Sequence, residues 1–413
     1  MKKVITLSIV LLLVITCIPQ TTVGHRNNFN NHEEKLDNYI KLMMKIGHMP
    51  SLSTCIVKNN EIVWENNYGK CDIKNNKKPS NSTIYDIGSI TKSFIAISIL
   101  QLYENELISL DDNVSNWLPF DLKNPNYPEI NITFRMLLSH QSSRYDVING
   151  NPNERYYRLS KFICYTKESF EFFRDPPYET IHEWIMEFYS PNGSRYDPNL
   201  WGDYQPGTKF SYSNDGYIIL GYLIEKITCL TFEEYVQENI LDPLEMNNTS
   251  FNLADLDEEK LAVPYYWIGG IYFPIENYEA KAIAPCGGLK STIGDLSKYL
   301  CIHLNNGSYR DVQILKNETM ELMHSQQVEV KGGQYYGFGW FAVPLSKEET
   351  LEGHTGGVPG FQAAMWMYRN SKVGVIMLYN NYYPSLLFRY FDPFELFSYQ
   401  KIRDKLFSYA TTL

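Results

Sequence analysis

Between residues 89 and 100 the sequence reads Ser-Ile-Thr-Lys-Ser-Phe-Ile-Ala-Ile-Ser-Ile-Leu, a stretch that is apolar on almost every side of a helix. Such a helix has no face to offer to solvent, so the rest of the chain has to be built around it. With 413 residues, 44% of them hydrophobic and 20% charged, the chain carries enough apolar material to do so. The balance is that of a globular protein of one or two domains and excludes a disordered or fibrous one.

The flanking patterns say how the helix is enclosed. Two strand-like runs, 51–57 and 62–68, are separated by Lys58-Asn59-Asn60-Glu61 and predict a β-hairpin, with a helix before it over about 33–46. Beyond residue 325 the pattern is again one of strands, at 336–343, 361–368 and 373–378, with Arg369-Asn370-Ser371-Lys372 as a turn. Between about 111 and 280 there are helical periodicity, prolines and aromatics but no clean alternation, and 217–227 and 232–240 are the clearest helices. The economical arrangement is an α/β (α+β) fold in which one antiparallel sheet, drawn from both chain ends, is flanked by helices. The sheet domain is expected to be discontinuous, 33–110 with 285–413, and the mainly helical domain to be the insertion 111–284.

The net charge of −10 and the absence of any Lys/Arg-rich run argue against a nucleic-acid partner. At the N-terminus Lys2 and Lys3 precede an apolar run over 4–18 and then small residues, the layout of a secretory signal over residues 1–24 with cleavage near Gly24. A secreted or extracytoplasmic location follows, with membrane contact only if the segment stays uncleaved. Without the leader six cysteines remain, Cys55, Cys71, Cys164, Cys229, Cys286 and Cys301. An even set is compatible with disulfides, while their wide spacing fits buried free thiols as well. Sequons such as Asn131-Ile132-Thr133 signal glycosylation only in a host that glycosylates.

Three stretches could carry chemistry. Ser89 and Lys92 lie three apart on the buried helix and share a face, so the amine can act as base for the hydroxyl if burial keeps it neutral. A nucleophile at a helix N-terminus also has backbone N–H groups at hand for a developing oxyanion. Ser-x-x-Lys alone is weak, since about one or two chance matches are expected in a chain this long. The second stretch, Pro206 through Tyr217, holds Tyr212, whose phenol can shuttle a proton, and Asn214, whose amide can hold a substrate amide. Taken alone these would be a surface aromatic and a turn asparagine. The third is His354-Thr355-Gly356-Gly357 before a strand, where glycines permit close backbone approach and His354 and Thr355 offer donors to a substrate carbonyl or carboxylate.

Together, in this order, the three stretches resemble the serine β-lactamase and penicillin-binding-protein superfamily, on its class C β-lactamase-related branch of D-amino-acid esterases and peptidases. Leu137-Leu138-Ser139-His140, Gly287-Gly288-Leu289 and Tyr336-Gly337-Phe338-Gly339-Trp340 are similar to that family too, and the likeness runs over about 35–380. The resemblance implies an active site in the cleft between the two domains. It implies Ser89 as the acyl-forming nucleophile, Lys92 and Tyr212 as the acid/base pair, and Asn214 as a contact to substrate and lysine. His354, Thr355, Gly356 and Gly357 would line the substrate, with the N–H groups of Ser89 and Gly357 as oxyanion hole. It implies no cofactor and no metal, and as partner a small ester, amide or peptide.

Two departures from the family pattern matter. Penicillin-processing members usually carry lysine where this chain has His354; a histidine titrating near its usual value of about 6.5 would let carboxylate binding weaken as pH rises. The Thr-Ser-Gly-like stretch after Leu-Leu-x-His is here Gln141-Ser142-Ser143-Arg144, with serine for glycine. Between it and Pro206 lies an aromatic-rich segment, including Tyr156, Tyr157, Phe170, Phe172, Phe173, Tyr178, Trp184, Phe188, Tyr189 and Trp201, suited equally to covering the cleft or to packing a core. His182-Glu183 lacks a zincin's second histidine, there is no Gly-x-Ser-x-Gly elbow, and Cys286 has no base placed beside it in sequence. His140 is expected to brace a helix end. The leading expectation is an exported acyl hydrolase. The alternatives are a non-catalytic binding or scaffold relative, and a weak β-lactamase or D,D-peptidase.

Overall fold

The computed structural model describes residues 28–146, 178–381 and 394–413. The N-terminal segment read as a secretory signal, Cys164 and the aromatics Tyr156, Tyr157, Phe170, Phe172 and Phe173 lie outside the described residues. Helix α1 (Asn28–Ile46) crosses the boundary between Met1–Leu42 and a compact unit, Met43–Leu413, which contains everything that follows.

In chain order the unit contains β1 (Ser51–Lys58), β2 (Glu61–Gly69), α2 (Thr91–Glu104), α3 (Phe134–Leu138), α4 (Ile181–Phe188), α5 (Asn214–Thr228) and α6 (Phe232–Val236). A hairpin, β3 (Tyr265–Ile268) and β4 (Ile271–Pro274), leads to α7 (Ile293–Leu304) and α8 (Asn317–His324). Then come β5 (Val328–Lys331), β6 (Gln334–Tyr336), β7 (Phe341–Pro344), β8 (Thr350–Val358), β9 (Phe361–Tyr368), β10 (Val373–Tyr379) and α9 (Phe394–Ala410).

Eight strands form one antiparallel sheet in the order β2-β1-β10-β9-β8-β7-β6-β5, so the two ends of the chain meet where β1 pairs with β10. The register Leu52↔Tyr379 through Lys58↔Val373 is unbroken, and alternate residues of β9 face opposite sides. On one side Trp366 donates to the Tyr399 hydroxyl of α9, and Tyr368 packs on Phe407. On the other, Gly374 has no side chain because Leu300 of α7 occupies the space, its Cδ2 lying 2.5 Å from where a Cβ would be. A larger residue at 374 would force the Leu300 side chain to move.

The apolar helix is where its sequence requires. Ile90 to Leu100 are buried without interruption, and Phe94 stacks on Tyr299 of α7 at 3.7 Å between ring centroids. Two expectations need correction. The strand expected over 336–343 is two strands, β6 and β7, because Gly339, at φ +84°, turns the chain against the Ser93 Cα. The middle region, read as mainly helical with no clean alternating strands, also contains the β3–β4 hairpin, which Gly269-Gly270 closes with positive φ at both residues. Cys55, Cys71, Cys229, Cys286 and Cys301 are free thiols.

Candidate active site

Ser89 sits in a single 3₁₀ turn, Gly88–Ile90, that leads directly into α2 and places it at the mouth of the buried helix. Gly88 takes φ +50°, and a Cβ there would lie 2.9 Å from the Gly357 nitrogen. From the other side a Cβ on Gly356 would fall 1.8 Å from the Ile87 carbonyl oxygen and 2.8 Å from the Ser89 nitrogen. Both positions require glycine, since only then can β8 lie against the serine turn. The backbones at Ser89 and Gly357 are thereby brought side by side.

β8 is also open there. Its pairing with β7 ends at Phe341↔Gly353, whereas pairing with β9 continues to Val358↔Phe361. Residues 354–358 therefore present one strand edge beside Ser89, with partly exposed Thr355 on it.

Lys92 is fully buried. Its Nζ donates to Ser89 Oγ (3.0 Å), to Asn214 Oδ1 (2.7 Å) and to the Cys286 carbonyl oxygen. It also lies 5.2 Å from the Tyr212 ring centroid. The serine, lysine, tyrosine and asparagine expected from sequence thus converge, although 122 positions separate Lys92 from Asn214.

Tyr212 and Asn214 are presented by the start of α5, whose N-cap Ser213 accepts from the Gly216 N–H (3.4 Å). Ser213 donates its own N–H to His140 Nδ1 (3.1 Å), which leaves the proton on Nε2, 3.2 Å from the Tyr336 hydroxyl. Burial holds the His140 pKa well below its ordinary value, with a smaller contribution from Lys92, so the ring is neutral. It lies beside the Tyr212 ring, tilted by 37° at 4.3 Å between centroids. His140 braces the start of α5 and, with it, the site.

The serine that replaces glycine in Gln141-Ser142-Ser143-Arg144 has a physical account. Ser143 adopts φ +61°, and its Oγ accepts from Asn124 Nδ2 (2.9 Å), a buried hydrogen bond that offsets the strain of a left-handed non-glycine residue. Gln141 Nε2 donates to the Gly207 carbonyl oxygen (2.7 Å), tying this stretch to the turn before Tyr212.

His354 departs from expectation. It is buried among Tyr212, Tyr336 and Phe341, and its Nδ1–H donates to the Thr355 carbonyl oxygen (2.7 Å). Burial, reinforced by Lys92, pushes its pKa down to about 3. The ring is therefore uncharged throughout the neutral range, and the titrating carboxylate site inferred from the histidine-for-lysine exchange is not what this geometry provides. Cys286 is no nucleophile, because burial raises its thiol to about 11.

A pocket of about 120 Å³ opens on this constellation, bounded by Ser89, Tyr212, Asn214 and Gly357, with Tyr278, Ala280, Ile283 and Val358 as its apolar wall. The wall residues 278–283 carried no motif in the sequence, and neither did Asp146, which accepts from Asn214 Nδ2 (2.9 Å) and from the Asp215 N–H (3.2 Å). Of the aromatic-rich segment, the described members Trp184, Phe188, Tyr189 and Trp201 are buried in the core, Tyr178 is partly buried against it, and none lines this pocket.

The fold is that of the serine β-lactamases and penicillin-binding proteins. The chain belongs to the beta-lactamase family, whose sequence model matches residues 36–390. It is similar to protein flp of Staphylococcus aureus (strain N315), 24% identical over 369 residues, a match that takes in 87% of this chain and 66% of that protein. Among solved structures it is similar to the octameric penicillin-binding protein homologue from Pyrococcus abyssi, with a TM-score of 0.71 and 29% identity over 86% of this chain and 75% of that one. It also shares its fold with a D-stereospecific amidohydrolase from Streptomyces sp., with a TM-score of 0.63 and 21% identity over 81% of this chain and 90% of that one.

Proposed function

We propose that this protein is an exported serine hydrolase that transfers an acyl group through Ser89, and that its substrates are esters, amides or D-amino-acid-containing peptides. The observation that carries the reading is the 3.0 Å contact between Lys92 Nζ and Ser89 Oγ, with the amine enclosed and its other donors engaged by Asn214 and the Cys286 carbonyl. Asn214 and the Cys286 carbonyl thus fix the amine within hydrogen-bond reach of the hydroxyl whose proton it must accept.

In this mechanism Lys92 takes the Ser89 proton as Oγ attacks the substrate carbonyl carbon, and the N–H groups of Ser89 and Gly357 receive the oxyanion. The proton passes from Lys92 by way of Tyr212 to the leaving group as the C–O or C–N bond breaks; water then attacks the acyl-enzyme, its oxygen joining the acyl carbon and its proton returning to Ser89 Oγ as that bond breaks. No step calls for a metal. The strand edge at 354–358 supports binding of an extended substrate backbone, and the neutral His354 and apolar pocket wall support an uncharged acyl portion. The Streptomyces relative's D-stereospecific amide hydrolysis is in keeping with the same chemistry.

The test is a panel of p-nitrophenyl acetate, a D-aminoacyl p-nitroanilide, a peptide ending in D-Ala-D-Ala and nitrocefin, run with wild type and Ser89→Ala. Turnover of the neutral ester or amide that disappears in the variant is the expected result. Turnover confined to nitrocefin or the D,D-peptide would replace the reading with a lactamase or peptidase, and none at all with a binding protein.

A further inference from the structure

An asparagine amide has a donor end and an acceptor end, and only one orientation lets it receive a hydrogen bond from Lys92. Something must fix that orientation in Asn214. The neighbour on its far side is Asp146, a buried carboxylate that can only accept when ionised; Oδ2 takes the Asn214 Nδ2 proton at 2.9 Å, and Oδ1 takes the Asp215 N–H at 3.2 Å. With Nδ2 held by Asp146, Oδ1 of Asn214 is turned to Lys92 Nζ at 2.7 Å. The contacts form a chain, Asp146 to Asn214 to Lys92 to Ser89, in which each link sets the direction of the next.

We propose that Asp146 is a positioning residue for acyl transfer, holding the Asn214 amide in the orientation that keeps Lys92 Nζ against Ser89 Oγ. The inference rests on the reading of Ser89 and Lys92 as nucleophile and base. Asp146 is not among the residues that line the pocket, and it reaches Lys92 and Ser89 through Asn214. Its bond to the Asp215 N–H also caps the first turn of α5, a role that would affect stability without affecting the amide.

Asp146→Asn separates the two roles. The asparagine keeps one acceptor oxygen, enough for the Asp215 N–H, but it sets an amide N–H₂ against that of Asn214, which relieves the clash by flipping and turning its own donors toward Lys92. The experiment measures the rate of fluorophosphonate labelling of Ser89, together with kcat and KM for p-nitrophenyl acetate, in wild type, Asp146→Asn, Asp146→Glu, Asn214→Ala and the Asp146→Asn/Asn214→Ala pair. Labelling and kcat are expected to fall about 30- to 100-fold in Asp146→Asn with KM changing less than about threefold, as for loss of an oriented base. Asp146→Glu, which keeps two acceptor oxygens, should retain at least about a tenth of the wild-type rate. In the Asn214→Ala background Asp146→Asn should cost less than about threefold more, because two residues acting through one contact are not additive.

A wild-type rate in Asp146→Asn, or its full loss repeated on top of Asn214→Ala, would overturn the proposal while leaving the hydrolase reading intact. Should Asp146→Asn fail to fold, the same cycle with Asp146→Glu decides, since an effect that persists without the Asn214 amide has the same meaning. A wild type that is not labelled at Ser89 removes the underlying reading and this proposal with it.

Discussion

Lys92 Nζ stands 3.0 Å from Ser89 Oγ because the two residues are three apart on one helical face and that face is sealed by the Cys286 carbonyl and Asn214. A surface Ser-x-x-Lys would leave the amine free to swing into solvent; here Asn214 and the Cys286 carbonyl hold it against the hydroxyl. Lys92→Met, which keeps length and apolar bulk but has no donor or base, is expected to lower kcat/KM by at least about a thousandfold. Circular dichroism should show the fold retained. Turnover within tenfold of wild type would remove lysine as the base.

Gly356 tests the role of the β8 edge. An alanine Cβ would meet the Ile87 carbonyl oxygen at 1.8 Å, a contact relieved only by moving the strand away from the serine turn. Gly356→Ala should therefore lose activity about a hundredfold through the displaced Gly357 N–H and lose about 1–3 kcal/mol of stability through overpacking. Measured kinetics and urea midpoints check both, and an active, fully stable variant would contradict the close approach.

Because His354 remains neutral down to about pH 3, no charge appears or disappears there across the neutral range. For a substrate bearing a carboxylate, KM should stay flat between pH 5.5 and 8. A KM that climbs with pH by tenfold or more would mean that His354 titrates in that range after all.

Behind β8, Glu352 faces His324, which in turn faces His303, a cluster buried against Trp340 and bordered by Arg369. Burial disfavours charge on every member; both histidines are held well below their ordinary pKa, and Glu352 is raised from 4.5 to about 7. A carboxyl raised in the folded state contributes stability that is full below about pH 4.5 and is lost as pH rises through about 7. Glu352→Gln cannot ionise. The melting-temperature difference, variant minus wild type, should therefore climb by a few degrees between about pH 5 and pH 8. A constant or falling difference would show Glu352 to be ionised in the folded protein.

The sequence made the central helix and the sheet strands legible because their signals are local. An all-round apolar run has one solution, and the apolar runs at 361–368 and 373–378, about seven residues each with the Arg369-Asn370-Ser371-Lys372 turn between them, mark strands whatever they pair with. The site stretches were legible for a different reason, that Ser89, Lys92, Tyr212, Asn214 and His354-Thr355-Gly356-Gly357 carry functional groups whose order along the chain is informative. Asp146 was not legible, since a lone aspartate has no periodicity and its meaning depends on Asn214, 68 positions away. Nor was the neutrality of His354, which depends on burial by Tyr212, Tyr336 and Phe341 from separate elements. The β3–β4 hairpin escaped because Tyr265–Ile268 and Ile271–Pro274 are apolar without alternation, so neither strand shows the period of two.

The claim that Ser89 is an activated nucleophile is tested most directly by intact-mass spectrometry after exposure to a fluorophosphonate, with Ser89→Ala alongside. One covalent adduct per chain on the wild type and none on the variant is the expected result. An unmodified wild type in a folded sample, or an adduct that survives in Ser89→Ala, would contradict the account.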